Sequence, residues 1–328
     1  MLIDGRPGRQ VSRLTASSAT VLAGLVLLAG CGSTSATTAT GAAAGASSSA
    51  AASPGYPTQD VVSSIAADPR LKAELPAAVQ SSGSLTLGTT ISPGTSGLPH
   101  GGVAADGQNV GLDVDLRNAV AKLLGVTWNV QNGTFATIIP GVQNGRYDVG
   151  QDNFGVTKAR EKVVDFASYL TDGQAFLAPS DSPLGSVTSI TDLCGLTIAT
   201  TPGSTFQQIL TTSAGKCAAA GKKPYTVQYF TDSAPIWLGL ANGKVDVYFG
   251  PTLSLKYDAT HVANVKFLSQ FSSTTVGFVT AKGSPLAKPL SDAVNELISD
   301  GDYAKILAKW AVTSSGIPAS AVNPPAAF

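Results

Sequence analysis

Two spacings of apolar residues alternate along most of this chain. Leu85-Thr-Leu-Gly-Thr-Thr90 reads as a strand, with Gly and Pro punctuation after it. From Asp113 to Gly125, Leu116, Ala119, Val120, Leu123 and Leu124 recur at i, i+3, i+4, i+7 and i+8, one face of a helix. Val126-Thr-Trp-Asn-Val130 returns to strand. Phe135, Ile138, Ile139 and Val142 mark a second helix over 135–143 that Gly145 ends, and Asp148-Val149 opens a buried strand. A second block, from near Ser182, repeats the scheme. It predicts strands at Leu196–Thr201, Tyr225–Phe230 and Val245–Phe249, a helix opened by Gly203-Ser204-Thr205, and another over Ser233–Asn242. The last third predicts a strand at Val276–Thr280 and helices at Ser291–Ser299 and Asp302–Val312. Such alternation predicts an α/β fold of mainly parallel sheets with helices on both faces. Two blocks predict two lobes with a ligand site in the cleft between them.

Residues 1–57 break the pattern. Arg6, Arg9 and Arg13 precede a short apolar run, Val21 to Gly30. The run is too short to span a bilayer, which takes about 20 residues. A basic start, a brief apolar core and small residues before a cut site predict an export signal over 1–30. Residues 32–55 are almost all Ala, Ser, Thr and Gly, so 31–57 reads as a flexible tether. Residues 58–83 read as a helical lead-in, with Val61, Val62, Ile65 and Leu71 as packing residues.

Composition narrows the classes. Beyond the signal, roughly 300 residues remain, enough for one large or two medium domains. Lys+Arg and Asp+Glu both number 21, so the formal charge is zero, and no basic stripe suggests nucleic acid. No second long apolar segment is present, so the body is expected to be soluble. Of three cysteines, Cys194 and Cys217 are expected to pair in an oxidising compartment, two free thiols being the alternative. The closed loop of about 22 residues is worth roughly 3 kcal/mol. His100 and His261 are the chain's histidines and neither has a ligand-like spacing to a cysteine, so no metal site is expected. A Gly-x-Ser-x-Gly elbow and a phosphate-binding loop are both absent.

Several segments resemble known sequences. Leu28-Ala29-Gly30-Cys31 looks like the lipobox of bacterial lipoproteins, in which the cysteine becomes the lipidated first residue. The alternative is an ordinary signal peptide with an incidental cysteine. Gly111-Leu-Asp-Val-Asp-Leu116, Phe135-Ala-Thr-Ile-Ile-Pro140 with Gln143-Asn-Gly145 and Tyr147-Asp148, Val156-Thr157-Lys-Ala-Arg160 with Val164-Asp165-Phe166-Ala167, and Asp302-Tyr303 with Lys309-Trp310 follow in order. Together they resemble the polar-amino-acid type of bacterial ABC-transporter solute-binding proteins. The resemblance implies a two-lobed type II periplasmic-binding-protein fold. Lobe 1 would take 84–177 with 275–328, and lobe 2 would take 178–274. The chain would cross near 174–181 and 272–281, and the lobes would close on the ligand by a hinge motion. It also implies a monomer that is not an enzyme and needs no cofactor, held by lipid on Cys31 at the outer face of the cytoplasmic membrane. Its partners would be a small ligand, an amino acid or related solute, and an ABC permease.

The same resemblance nominates site residues. Arg160 aligns with the arginine that grips the ligand α-carboxylate; without its motif it would read as a surface arginine at a helix start. A guanidinium fork suits a carboxylate better than a lysine does. Gly203, Ser204 and Thr205 open a helix, where free N–H groups favour an anion, or where Ser204 serves as a plain cap. Phe135 aligns with an aromatic set against the ligand and equally fits a helix core stripe. The family's ammonium-binding aspartate is replaced in Gly250-Pro251-Thr252. Gly155 stands where the family often has Thr, and its first-lobe aromatic aligns near Pro93. Gly155 and Thr252 complete the expected ligand-binding set. Asp152 and Asn153 occupy positions that are small in the family. Asp152 is expected to neutralise a ligand ammonium, with Asn153 beside it, or else to be a solvated strand end. Three other readings stay open: a carboxylate ligand lacking an α-ammonium, a ligand sensor for a membrane receptor, and a cyclohexadienyl-dehydratase-like enzyme.

Overall fold

The computed structural model describes residues 55–327. The export signal over 1–30, Cys31 and most of the tether over 31–57 lie outside the described residues.

Helix starts later than the expected lead-in. Residues 58–68 carry none, and two short helices follow, α1 (Pro69–Ala73) and α2 (Ala77–Ser82). Proline is favoured at a helix start; Pro69 is the first residue of α1 and Pro76 immediately precedes α2. Asp68 caps α1 by accepting from Arg70 N at 2.7 Å. Ile65 and Leu71 are buried as expected.

β1 (Ser84–Thr89) begins the main sheet. A small ribbon, β2 (Gly102–Val103) with β3 (Asn109–Val110), precedes α3 (Leu112–Leu124). β4 (Thr127–Asn132), α4 (Phe135–Gln143), β5 (Val149–Gly150) and α5 (Lys158–Glu161) complete the first half. β6 (Val164–Pro179) leads into the second half: β7 (Thr197–Thr200), α6 (Thr205–Thr212), α7 (Lys216–Ala219), β8 (Thr226–Tyr229), α8 (Ser233–Ala241), β9 (Val247–Pro251) and α9 (Thr252–His261). β10 (Val265–Ala281) returns, and α10 (Ala287–Asp300) and α11 (Asp302–Lys309) pack on the first half.

The sheet order is β4-β1-β5-β10-β6-β9-β7-β8. Outer pairings are parallel, whereas β10 runs antiparallel to β5 and β6, and β6 antiparallel to β9. This bears out the α/β expectation. The short strand expected at Val276–Thr280 is the end of β10, which pairs with β6 from Ala281↔Val164 to Val265↔Pro179. Its polar middle, Ser272 to Thr275, carries no strand signal of its own and is held by that pairing. α9 is also absent from the sequence reading, because its apolar residues lack a clear helical stripe.

The two halves use one device twice. Asn144 and Asn242 end α4 and α8, and each Oδ1 accepts the N–H two residues on at 3.1 Å. Gly145 and Gly243 follow at φ 78° and 70°, a region where glycine carries no Cβ penalty. Asp148 and Asp246 then each accept from the first half-strand they join, Thr86 N and Thr197 N, both at 2.7 Å. Other motifs act as fasteners. Asp115 accepts from Trp310 Nε1 at 2.7 Å and lies 2.8 Å from Lys309 Nζ, tying α3 to the C-terminal end of α11. Asp165 accepts from Lys282, Gly283 N and Asn323, which outweigh burial and hold its carboxyl below the usual range.

The first half packs Leu116, Val120 and Leu124 of α3 against Leu290, Val294 and Ile306. The second is centred on Phe176 and Phe249, stacked at 4.2 Å. No helix among the described residues is long and apolar enough to cross a membrane. Cys194 and Cys217 are joined, with Cα atoms 5.6 Å apart, tying α7 to the segment that precedes β7. Replacing both by Ser is expected to lower stability by about 3 kcal/mol, read as a fall in the urea midpoint. Reducing the unaltered protein should give the same fall.

Candidate functional site

The ends of the parallel strands meet around a cavity of about 500 Å³. From the first half come Thr90 after β1, the loop 91–102, Asp113 and Arg117 on α3, Phe135, and Asp152, Asn153 and Gly155 after β5. From the second half come Ser204 and Thr205 at the start of α6, Trp237 on α8, Tyr248, and Ser254 and Asp258 on α9.

Arg160 lines this cavity. Thr157 caps α5 by accepting from Arg160 N at 3.2 Å, which fixes where the side chain leaves the backbone. The guanidinium donates through Nη1 to Gly155 O at 2.8 Å and through Nη2 to Gly203 O at 3.0 Å. It thus links the two halves, and each terminal nitrogen keeps a second hydrogen. Its carbon lies 5.5 Å from the Phe135 ring and 5.6 Å from the Phe154 ring. Phe135 therefore serves both readings, packed on Phe154 and facing the cavity. Burial lowers the Arg160 pKa to about 10, which leaves it charged at neutral pH.

Asp152 is half-buried and accepts from Thr90 Oγ1. Burial raises its pKa to about 6 and the Asp113 charge adds to this, while the Thr90 hydrogen bond opposes them. It is not a freely solvated strand end. Asn153 turns the chain at φ 51° and donates to Asp172 Oδ2 at 2.8 Å. Gly155 fits because a Cβ there would come within 2.8 Å of Thr274 Cγ2.

The other expected residues are placed differently. Gly203 does not line the cavity; its carbonyl faces Arg160 and its N–H donates to Gln207 Oε1 at 2.6 Å. Ser204 lines it but spends its hydroxyl as a cap, donating to Thr201 O at 2.6 Å and accepting from Gln207 N at 3.2 Å. Thr205 Oγ1 accepts from Gln174 Nε2 at 3.2 Å. Thr252 is buried away from the cavity, its hydroxyl lying against Gly173, where a Cβ would approach it to 2.4 Å.

A buried ionic network in the cavity wall is absent from the sequence reading. His100 Nε2 lies 3.1 Å from Asp172 Oδ2 and Nδ1 lies 3.3 Å from Asp113 Oδ2. Burial alone would lower the His100 pKa, but the two carboxylates outweigh it and push it up to about 10. Asp172 Oδ1 also accepts from Gly173 N at 2.6 Å and Leu253 N at 3.1 Å. Leu253 is in the first turn of α9, so Asp172 supplies the anionic cap that Pro251 lacks. Arg117 is buried on α3, where desolvation lowers its pKa and Asp113 and Asp152 oppose that. Sequence offered one signal for this network, the carboxylate of Gly111-Leu-Asp113. His100 sits in a Gly/Pro loop with nothing to mark its partners. No cluster of His, Cys, Asp and Glu among the described residues could hold a metal ion.

Comparison with known proteins now bears on this cavity. The profile of the bacterial extracellular solute-binding proteins, family 3, matches residues 93–313. The chain belongs to that family. The chain is 26% identical over 262 residues to the arginine-binding protein ArgT of Corynebacterium glutamicum, covering 78% of this chain and 83% of that protein. The solved structure of an ancestral arginine-binding protein bound to arginine superposes with a TM-score of 0.61 at 31% identity, over 70% of this chain and 98% of that one. The ancestral amino acid-binding protein AncCDT-1, described as a precursor of cyclohexadienyl dehydratase, gives 0.62 at 27% identity, over 71% and 97%. These are binding proteins, and this family 3 protein is a solute-binding protein on the type II periplasmic-binding-protein fold, not an enzyme.

His100→Gln leaves two buried carboxylates uncompensated and is expected to cost about 3–5 kcal/mol at pH 7. The folded pKa is raised above the ordinary value of 6.5. The His100 contribution is therefore complete below about pH 6.5 and is lost as pH climbs through about 10. Urea unfolding across that window should show the slope in the unaltered protein and a shallower one in the variant.

Proposed function

We propose that this chain is the lipid-anchored, extracytoplasmic solute-binding subunit of an ABC importer, holding an amino acid in its cavity and delivering it to a permease. Arg160 takes the α-carboxylate through its unused hydrogens. Asp152 takes the α-ammonium in place of the aspartate that Pro251 replaces, with Asn153 beside it. Lobe 1 (84–177 with 275–328) and lobe 2 (178–274) close on the ligand as a monomer. Cys31 carries the lipid.

The observation that carries this reading is one cavity lined by the Arg160 guanidinium and by Asp152, a carboxylate with no arginine or lysine hydrogen bond. An α-carboxylate and an α-ammonium on one small molecule answer both charges. A ligand without an amine would leave Asp152 with only the Thr90 hydrogen bond and the unbonded charges of His100 and Arg117, and buried charge is costly unless paired. The relatives named as arginine- and amino acid-binding agree with it.

Asp152→Asn is expected to weaken amino acid binding about 10- to 100-fold, the loss of one charge-assisted hydrogen bond. Arg160→Lys keeps the charge but loses the fork, and is expected to weaken binding about tenfold or more. Titration calorimetry on ligand-free protein measures both; unaltered affinity in Asp152→Asn would remove Asp152 from the ammonium site. Because the Asp152 pKa is raised, affinity should fall as pH drops below about 6. Cys31→Ser should move the protein from the membrane fraction to the medium, and equal membrane retention would exclude the lipid anchor.

A further inference from the structure

The second half of the cavity wall carries charge that no protein group answers. Between Thr201 and Asp258 it presents two carboxylates, Asp232 at the exposed rim and Asp258 inside, and no lysine or arginine. Asp258 is 4% exposed. Among the described residues its carboxylate has no hydrogen bond and no ion pair, and burial raises its proton affinity. A buried carboxylate ordinarily accepts several N–H bonds. Pro251, Ser254 and Asp258 lie at i, i+3 and i+7, so one stripe of α9 faces the cavity. Trp237 and Tyr248 line the same region, edge to face with centroids 5.8 Å apart. Aromatic rings beside a carboxylate attract a cation and exclude water.

Resting on the reading above, we infer that Asp258, with Trp237 and Tyr248, forms a second cation subsite, and that the ligand is an amino acid whose side chain ends in a guanidinium or ammonium group. The ligand then presents three charges and the cavity answers each: Arg160 for the α-carboxylate, Asp152 for the α-ammonium, Asp258 for the side-chain cation.

The subsite is arranged to accept its charge only with the ligand. Burial pushes the Asp258 pKa up to about 8. The titratable groups beside it are Tyr248 and Tyr257, both held up by burial and by Asp258 itself. Across the cavity stand Asp152, Asp113, His100, Arg117 and Arg160. In the empty cleft at pH 7 Asp258 is therefore mostly protonated, and a cation entering beside it displaces that proton. Asp152, at about 6, is already mostly ionised at that pH. Binding of a basic amino acid near pH 7 thus releases about one proton, and its affinity rises as pH climbs toward about 8. A neutral side chain gives neither effect.

The test uses the unaltered protein and Asp258→Asn, with L-arginine, L-ornithine, L-lysine and L-citrulline as probes. Citrulline is the neutral counterpart of arginine. Calorimetry at pH 7 in buffers of different ionisation enthalpy gives affinity and proton release together. The expected result is a basic amino acid bound more tightly than citrulline, with proton release for the basic ligand alone. In Asp258→Asn that preference should shrink about 10- to 100-fold. The neutral amide resembles the protonated carboxyl of the empty cleft, so the variant is expected to fold, which its melting temperature checks. Proton release in the unaltered protein needs no variant at all. Equal binding of citrulline and the basic amino acids, or a preference untouched by the substitution, overturns the second cation subsite and leaves the amino acid-binding reading standing. Binding of no amino acid in any form overturns both.

Discussion

The cleft depends on keeping charge balanced where β6 passes between the two halves. Asp172 stands there, 5% exposed, and serves three elements together: the His100 loop, the Asn153 turn and the first turn of α9. A carboxylate so placed is tolerated only because an imidazolium and backbone N–H groups surround it. His100 in turn is charged only because Asp113 shares it. The network therefore fixes the loop over the cavity, the strand end that carries Asp152, and the helix that carries Asp258, all from one buried ion group. Neutral side chains there would pack, but they would not link these three elements in one geometry.

Arg160 provides the second link. Its two donors to Gly155 O and Gly203 O bridge the halves without a ligand, and the side chain lines the cavity. The first half of the wall mixes both signs, with His100 and Arg117 among Asp113 and Asp152. The second half is purely acidic. A solute with an anionic end and separate cationic centres matches this polarity, while the Phe135, Trp237 and Tyr248 rings supply apolar surface between the charged points. The same motif residues that identify the family elsewhere act as fasteners: Asp115 under Trp310, Asp165 under Lys282, and the Asn-Gly-x-x-Asp turns after α4 and α8.

Much of this was legible before the structure because it rests on local rules. The helices over 112–124 and 135–143 follow from apolar spacing, the ends of α4 and α8 from Asn-Gly, and the disulfide from two cysteines in an exported chain. Arg160, Asp152 and Phe135 were nominated through their motif surroundings, and all three line the cavity. Thr252 and Gly203 were nominated the same way and do not, since a hydroxyl's direction and a carbonyl's partner depend on what packs beside them. The polar middle of β10 and the whole of α9 gave no periodic signal, because pairing with β6 and burial beside it hold them rather than their own propensities.

By itself, then, the sequence determined the α/β alternation, the family and an arginine that lines the cavity, all set by residues close in the chain. Only the tertiary structure decided that His100 is an imidazolium between Asp113 and Asp172, and that Asp258 lies unanswered in the cavity wall. Those properties belong to charges brought together from distant parts of the chain. Their protonation follows from burial and from neighbours that no local pattern records.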